Sequence, residues 1–208
     1  MFRRRRLPHW DLPGATYFIT ACLADSIPAQ GWLSIHRFRD ELLATRPRDQ
    51  SPEWKAEVWK RTFFEQEKWL DVDAAGRHLE NPALAAVVEQ SLLHFDGERY
   101  YLVGYVVMPS HFHWLFHPRD EWAAALPAGK SPRQVIMQSI KSYTAHECNK
   151  LLNRSGPFWQ QESFDHCVLD EDEMERILEY IEFNPVKGGL CKQPEEWKFS
   201  SAHRRVVG

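Results

Sequence analysis

Along this chain the spacing of apolar positions changes several times, and each change marks an element. After Gly14 the run Ala15-Thr-Tyr-Phe-Ile-Thr-Ala-Cys-Leu23 is rich in β-branched and aromatic residues, which predicts a strand. Ile35 to Thr45 reads as a helix, broken by the segment 46–52 with its two prolines. Ser51-Pro52-Glu53 has the form of an N-cap, a proline at the first helical position and an early acid. It opens a second helix through Trp54, Val58 and Phe63 toward Trp69. Asn81-Pro82 opens a third, with Leu84, Val87, Val88 and Leu92 at helical spacing toward His94. Tyr100 to Met108 is a continuous apolar run. After Pro109-Ser110 comes the run 111–116, so two strands joined by a tight connection are expected. Ser131 caps a long helix that runs to Leu152 and stops at Asn153-Arg-Ser-Gly-Pro157. A short strand at 164–169 and a helix at 171–183 follow, the helix closed by Asn184-Pro185 because proline cannot continue it. Strands and helices mix without regular βαβ alternation, which predicts an α+β fold on an antiparallel sheet.

Composition narrows the class. The 208 residues are 43% hydrophobic and 13% aromatic, enough for a buried core and too much for a wholly disordered chain. No stretch approaches the ~18 apolar residues of a membrane span. The basic start has no apolar segment behind it, so no signal peptide is expected. Cys22, Cys148, Cys167 and Cys191 form no CxxC pair and read as reduced thiols, with neither a zinc framework nor a disulfide scaffold. The expected organisation is a basic arm over 1–13, one domain over 14–190 and an extension over 191–208. A net charge of −3 argues against a protein that coats DNA. Arg3, Arg4, Arg5 and Arg6 nevertheless form an uninterrupted tract, which is either a solvated tail or an arm that neutralises phosphates.

Candidate chemistry begins at His111-Phe112-His113. On a strand, residues two apart point to the same face, so the two imidazoles stand side by side and suit a divalent ion. With ten histidines in the chain, chance is the competing explanation. On the helix from Ser131, the apolar line through Ile136, Ile140, Thr144 and Leu151 takes in Glu147. A carboxylate on a core-facing line is costly unless paired or bound to metal. Tyr143 stands four residues earlier and reaches the same region. An exposed tyrosine and a Glu147–Lys150 surface pair are the plain alternative.

Together with their surroundings, these residues resemble the HUH single-tyrosine nucleases, and among them the REP-associated tyrosine transposases. The resemblance is carried by Gly104-Tyr-Val-Val-Met-Pro109, His111-Phe-His113, Lys141-Ser-Tyr-Thr-Ala145, Phe158-Trp-Gln160 and Ser163-Phe-Asp165. It continues through Tyr180-Ile-Glu-Phe-Asn-Pro-Val-Lys-Gly-Gly-Leu190 and Trp197-Lys-Phe-Ser-Ser201. The opening Leu7-Pro-His-Trp10 and Gly14-Ala-Thr-Tyr-Phe18 are similar as well. Ser110 stands where the family often has Asn.

The resemblance implies a ferredoxin-like HUH fold: a central antiparallel sheet with helices packed on it and the catalytic tyrosine on a helix. It implies a metal-dependent single-strand DNA endonuclease or transposase acting on hairpins of repeated extragenic palindromes. In that scheme Tyr143 attacks DNA to leave a 5′-phosphotyrosine and a free 3′-OH, with Tyr180 next in line should Tyr143 not be the nucleophile. His111, His113 and Glu147 hold Mg2+ or Mn2+, Glu147 being preferred to His146 on the helical projection. Arg3, Arg4, Arg5, Arg6, Lys141 and Lys150 contact DNA. The implied setting is the bacterial cytoplasm, associated with the nucleoid, without membrane or obligate protein partner. A domesticated, catalytically silent hairpin-binding protein is the alternative. A barrel hydrolase of the H-x-H amidohydrolase kind is disfavoured by the short chain and the missing βα alternation.

Overall fold

Every pair of neighbouring strands runs antiparallel in the computed structural model, which describes residues 14–45, 52–70, 76–161 and 163–207. The strands β1 (Tyr17–Cys22), β2 (Tyr100–Val107), β3 (His111–Pro118) and β4 (Phe164–Cys167) form one sheet in the order β2-β3-β1-β4. Strand β3 lies between the mutually parallel β1 and β2, the split arrangement of ferredoxin-like folds. Between β1 and β2 come α1 (Ala29–Ala44), α2 (Pro52–Leu70), a 3-10 turn at His78–Glu80 and α3 (Pro82–His94). The helices α4 (Asp120–Ala124) and α5 (Pro132–Leu151) connect β3 to β4. After β4 come α6 (Glu171–Lys187), a second 3-10 turn at Pro194–Glu196 and α7 (Ser201–Val207).

The two-residue period of β3 divides the core. Phe112, Trp114 and Phe116 point to one face, where Leu84, Val88 and Leu92 of α3 and Ile136, Ile140 and Cys148 of α5 cover them. His111, His113 and Leu115 point to the other. There Phe18, Val106 and Phe164 meet Phe63 of α2 and Ile181 of α6. The sheet is therefore sandwiched, and α2 and α6 lie over the imidazoles.

The expected α+β architecture is present, with two shifted boundaries. Helix α1 starts at Ala29, well before Ile35, and takes in Gly31, where a Cβ would come within 2.9 Å of Ile27 and Trp69 side chains. Helix α6 continues through Pro185 to Lys187. A proline in the last turn forfeits only its own backbone bond, and Gly188 N still reaches Asn184 O at 2.9 Å. Two caps are present: Asn81 Oδ1 accepts from Ala83 N at 3.0 Å, and Ser131 Oγ accepts from Gln134 N at 3.2 Å; Ser51, expected to cap α2, lies outside the described residues.

Residues past Leu190 lie along the outer edge of β2. Val107 N donates to Phe199 O at 2.9 Å, and Trp197 Nε1 donates to Val107 O at 2.9 Å. Ser201 Oγ lies 3.2 Å from both the N and the O of Tyr105.

Candidate active site

Each imidazole of the pair is fixed from behind by a hydroxyl. His111 Nδ1 is 3.0 Å from Ser110 Oγ, and His113 Nδ1 is 2.7 Å from Thr20 Oγ1 on the neighbouring strand. The two Nε2 atoms consequently face each other, 3.1 Å apart. When Nδ1–H donates to these hydroxyl oxygens, both Nε2 lone pairs open onto the same space. The third member comes from α2: Glu67 Oε2 lies 3.6 Å from His113 Nε2. The ligand atoms of Glu67, His111 and His113 all lie within 4.8 Å of one another.

This set fits a divalent cation. Donors about 2.1 Å from an ion and at right angles stand about 3.0 Å apart, the spacing of the two Nε2 atoms. Glu67 Oε1 is buried with no hydrogen-bond partner among the described residues, a costly state that a cation would relieve. Protonation states agree. Burial, with His113 alongside, lowers the His111 ring to about 3 against the pull of Glu67. Burial would raise the Glu67 carboxyl, but His113, His111 and the Tyr180 hydroxyl outweigh it and bring it to about 2. A neutral imidazole and an ionised carboxylate are the forms that bind metal. Nearby Cys22 is kept a thiol by burial and by Glu67.

Helix α6 adds a phenol. Tyr180 Oη donates to Glu67 Oε2. Its ring centroid lies 5.3 Å from that of His113, with edge contacts to Phe18 and Phe63. Lys187 Nζ sits 5.9 Å from the ring centroid. Asn184, one turn beyond Tyr180, is also buried.

The structure thus brings His111 and His113 together, but not Tyr143 or Glu147 with them. Helix α5 packs on the Phe112 face of the sheet, the side away from the imidazoles, and Tyr143 is 57% exposed there. Glu147 is outside the ligand group; its Oε1 lies 3.7 Å from His146 Nε2. The physical reason lies at Leu151, which the apolar line counted as core and which is exposed. Without it the buried stripe runs through Ile136, Met137, Ile140, Thr144 and Cys148, leaving Tyr143 and Glu147 on its rim. Lys141 is turned into the protein, donating to Gln160 O at 2.6 Å, while Lys150 is exposed. The tract Arg3 to Arg6 lies outside the described residues.

Glu67 is the residue that the sequence reading missed, yet a signal was present. Trp59, Phe63 and Glu67 follow one another at four-residue spacing on α2, so the carboxylate continues an apolar line.

No protein-family model matches the chain. A REP-associated tyrosine transposase of Escherichia coli K12 is 31% identical over 103 residues, 50% of this chain and 54% of that protein. A Haemophilus influenzae protein provisionally given the same name is 29% identical over 119 residues, 57% of this chain and 66% of that protein. The matches therefore span about half to just under two thirds of those relatives. The solved structure of a REP-associated tyrosine transposase bound to a REP hairpin superposes on 100% of this chain and 86% of its own, with a TM-score of 0.56 at 20% identity. The shared architecture is the ferredoxin-like HUH fold. In sequence, over about half its length, the chain is thus similar to REP-associated tyrosine transposases, and it shares the fold of the hairpin-bound one.

Proposed function

We propose that this chain is a metal-dependent, single-strand DNA endonuclease or transposase acting on REP-type hairpins, with Tyr180 as its nucleophile. The supporting observation is the convergence of one phenol on a buried group of two imidazoles and one carboxylate. His111, His113 and Glu67 would hold Mg2+ or Mn2+, which when bound polarises a phosphoryl oxygen and offsets charge developing on the leaving oxygen. Tyr180 Oη attacks phosphorus in line, the bond to the 3′-oxygen breaks, and the proton lost by the phenol is balanced by one gained at the 3′-OH. One phosphodiester replaces another, so reversal rejoins DNA without ATP. A phenol with pKa near 10 needs this help at neutral pH.

The donors are 3% exposed or less, closed off beneath α2 and α6. That same closure favours the alternative, a silent hairpin-binding protein. The deciding experiment is incubation of the full chain with end-labelled single-stranded hairpins and Mn2+, followed by denaturing gels. A covalent protein–DNA band is expected; binding without that band would establish the silent binder. The proposed setting is the cytoplasm, on nucleoid DNA; no helix among the described residues is long and apolar enough to cross a membrane.

The arginine tract gives a separate expectation. If Arg3 to Arg6 lie along a DNA backbone, a chain starting at Leu7 should bind all hairpins more weakly. Its log–log salt slope should flatten by up to ~3 units, at ~0.7 per lost single-strand contact. Minor-groove entry would also relax discrimination between matched and scrambled hairpins. Binding over a series of salt concentrations checks this; an unchanged slope makes the tract a solvated tail.

A further inference from the structure

We propose that Glu67 is a positioning residue for Tyr180, its carboxylate holding the phenol hydroxyl beside the imidazole pair that would bind the ion. The inference rests on the metal-dependent function above and deepens it. Two atoms of one side chain carry it. Glu67 Oε2 accepts the Tyr180 hydroxyl and lies 3.6 Å from His113 Nε2, whereas Oε1 is buried and lacks a partner among the described residues. A ligand alone would not need the phenol, and a hydrogen-bond acceptor alone would not need to sit against two imidazoles. One rigid, planar group joining both fixes the nucleophile relative to the ion before DNA arrives, which is how positioning lowers a barrier.

The carrier of this group is α2, which lies in the connection between β1 and β2 and is seated by aromatic contacts beyond Glu67 itself. Trp59 stacks on His166 at 4.2 Å between centroids, and Phe63 meets Phe18 edge-on at 5.4 Å. Glu67 therefore arrives from a helix whose seat is set by aromatic packing, and Tyr180 from α6 on the same face.

The test is calorimetric titration of Mn2+ into the full chain and its Tyr180→Phe, Glu67→Gln and doubly substituted variants. Tyr180→Phe should weaken Mn2+ binding by ~10-fold, the scale on which losing the partner of a ligating group acts. Glu67→Gln should weaken it further, and the double variant no further than Glu67→Gln. At saturating Mn2+, Glu67→Gln should still form the covalent adduct at least ~10-fold more slowly than the unaltered chain. Unaltered Mn2+ affinity in Tyr180→Phe, additive losses in the double variant, or a full rate restored by Mn2+ would each overturn the proposal. Failure of the unaltered chain to bind Mn2+ would instead overturn the metal-dependent function beneath it. Tyr180→Phe preserves the ring, so its result stands even if Glu67→Gln does not fold.

Discussion

Tyr180→Phe will abolish the covalent protein–DNA band and leave hairpin affinity within a few-fold of the unaltered chain. The substitution removes one oxygen. The ring keeps its edge contacts with Phe18, Phe63 and His113, so the helix and its face remain seated. No other phenol is hydrogen-bonded within the ligand group among the described residues, so no second phenol stands ready to replace it there. Tyr143→Phe is the matched comparison and should retain the band, since α5 covers the opposite face of the sheet. Denaturing gels on both variants decide the matter. A band surviving in Tyr180→Phe and vanishing in Tyr143→Phe would return the nucleophile to α5, by a rearrangement that carries that helix around the sheet.

The second large effect is at the imidazoles. His111→Ala and His113→Ala should each slow cleavage by at least ~100-fold, the scale of removing one electrostatic stabiliser from a closed site. Glu67→Ala should fall in the same range. Glu147→Ala should stay within about threefold, because its carboxylate pairs with His146 on the far layer. Cleavage rates at fixed Mn2+ measure this, and thermal unfolding separates chemistry from folding. His113 needs that control most, since its ring also bonds Thr20 across the sheet at 2.7 Å. A Glu147→Ala variant as impaired as His111→Ala would place the carboxylate of α5 in the site after all.

These contrasts mark where the sequence was legible. The order and type of the main elements followed from apolar period, caps and prolines, because those signals are local. The imidazole pair followed from the two-residue period of a strand, which is also local. The carboxylate did not, although the rule that a charged residue on an apolar helix line needs a partner was sound. Glu147 met that rule only while Leu151 counted as core, and Glu67 met it on α2 beside Trp59 and Phe63. Choosing between them depends on which helix covers which face of β3. That depends on the crossovers of the whole sheet, which no window of sequence contains. The same information separates Tyr180 from Tyr143, two tyrosines on two amphipathic helices.

The contacts of Trp197, Phe199 and Ser201 with β2 have a consequence for association. Strand β2 is an outer strand, and the outward N–H and C=O groups of Tyr105 and Val107 are occupied by that short segment. Strip it away and four backbone groups become a template for a strand of another molecule. A chain ending at Leu190 should therefore sediment as concentration-dependent multimers while the full chain does not. The segment beyond Leu190 thus closes an edge that would otherwise be open to pairing with copies of the same chain.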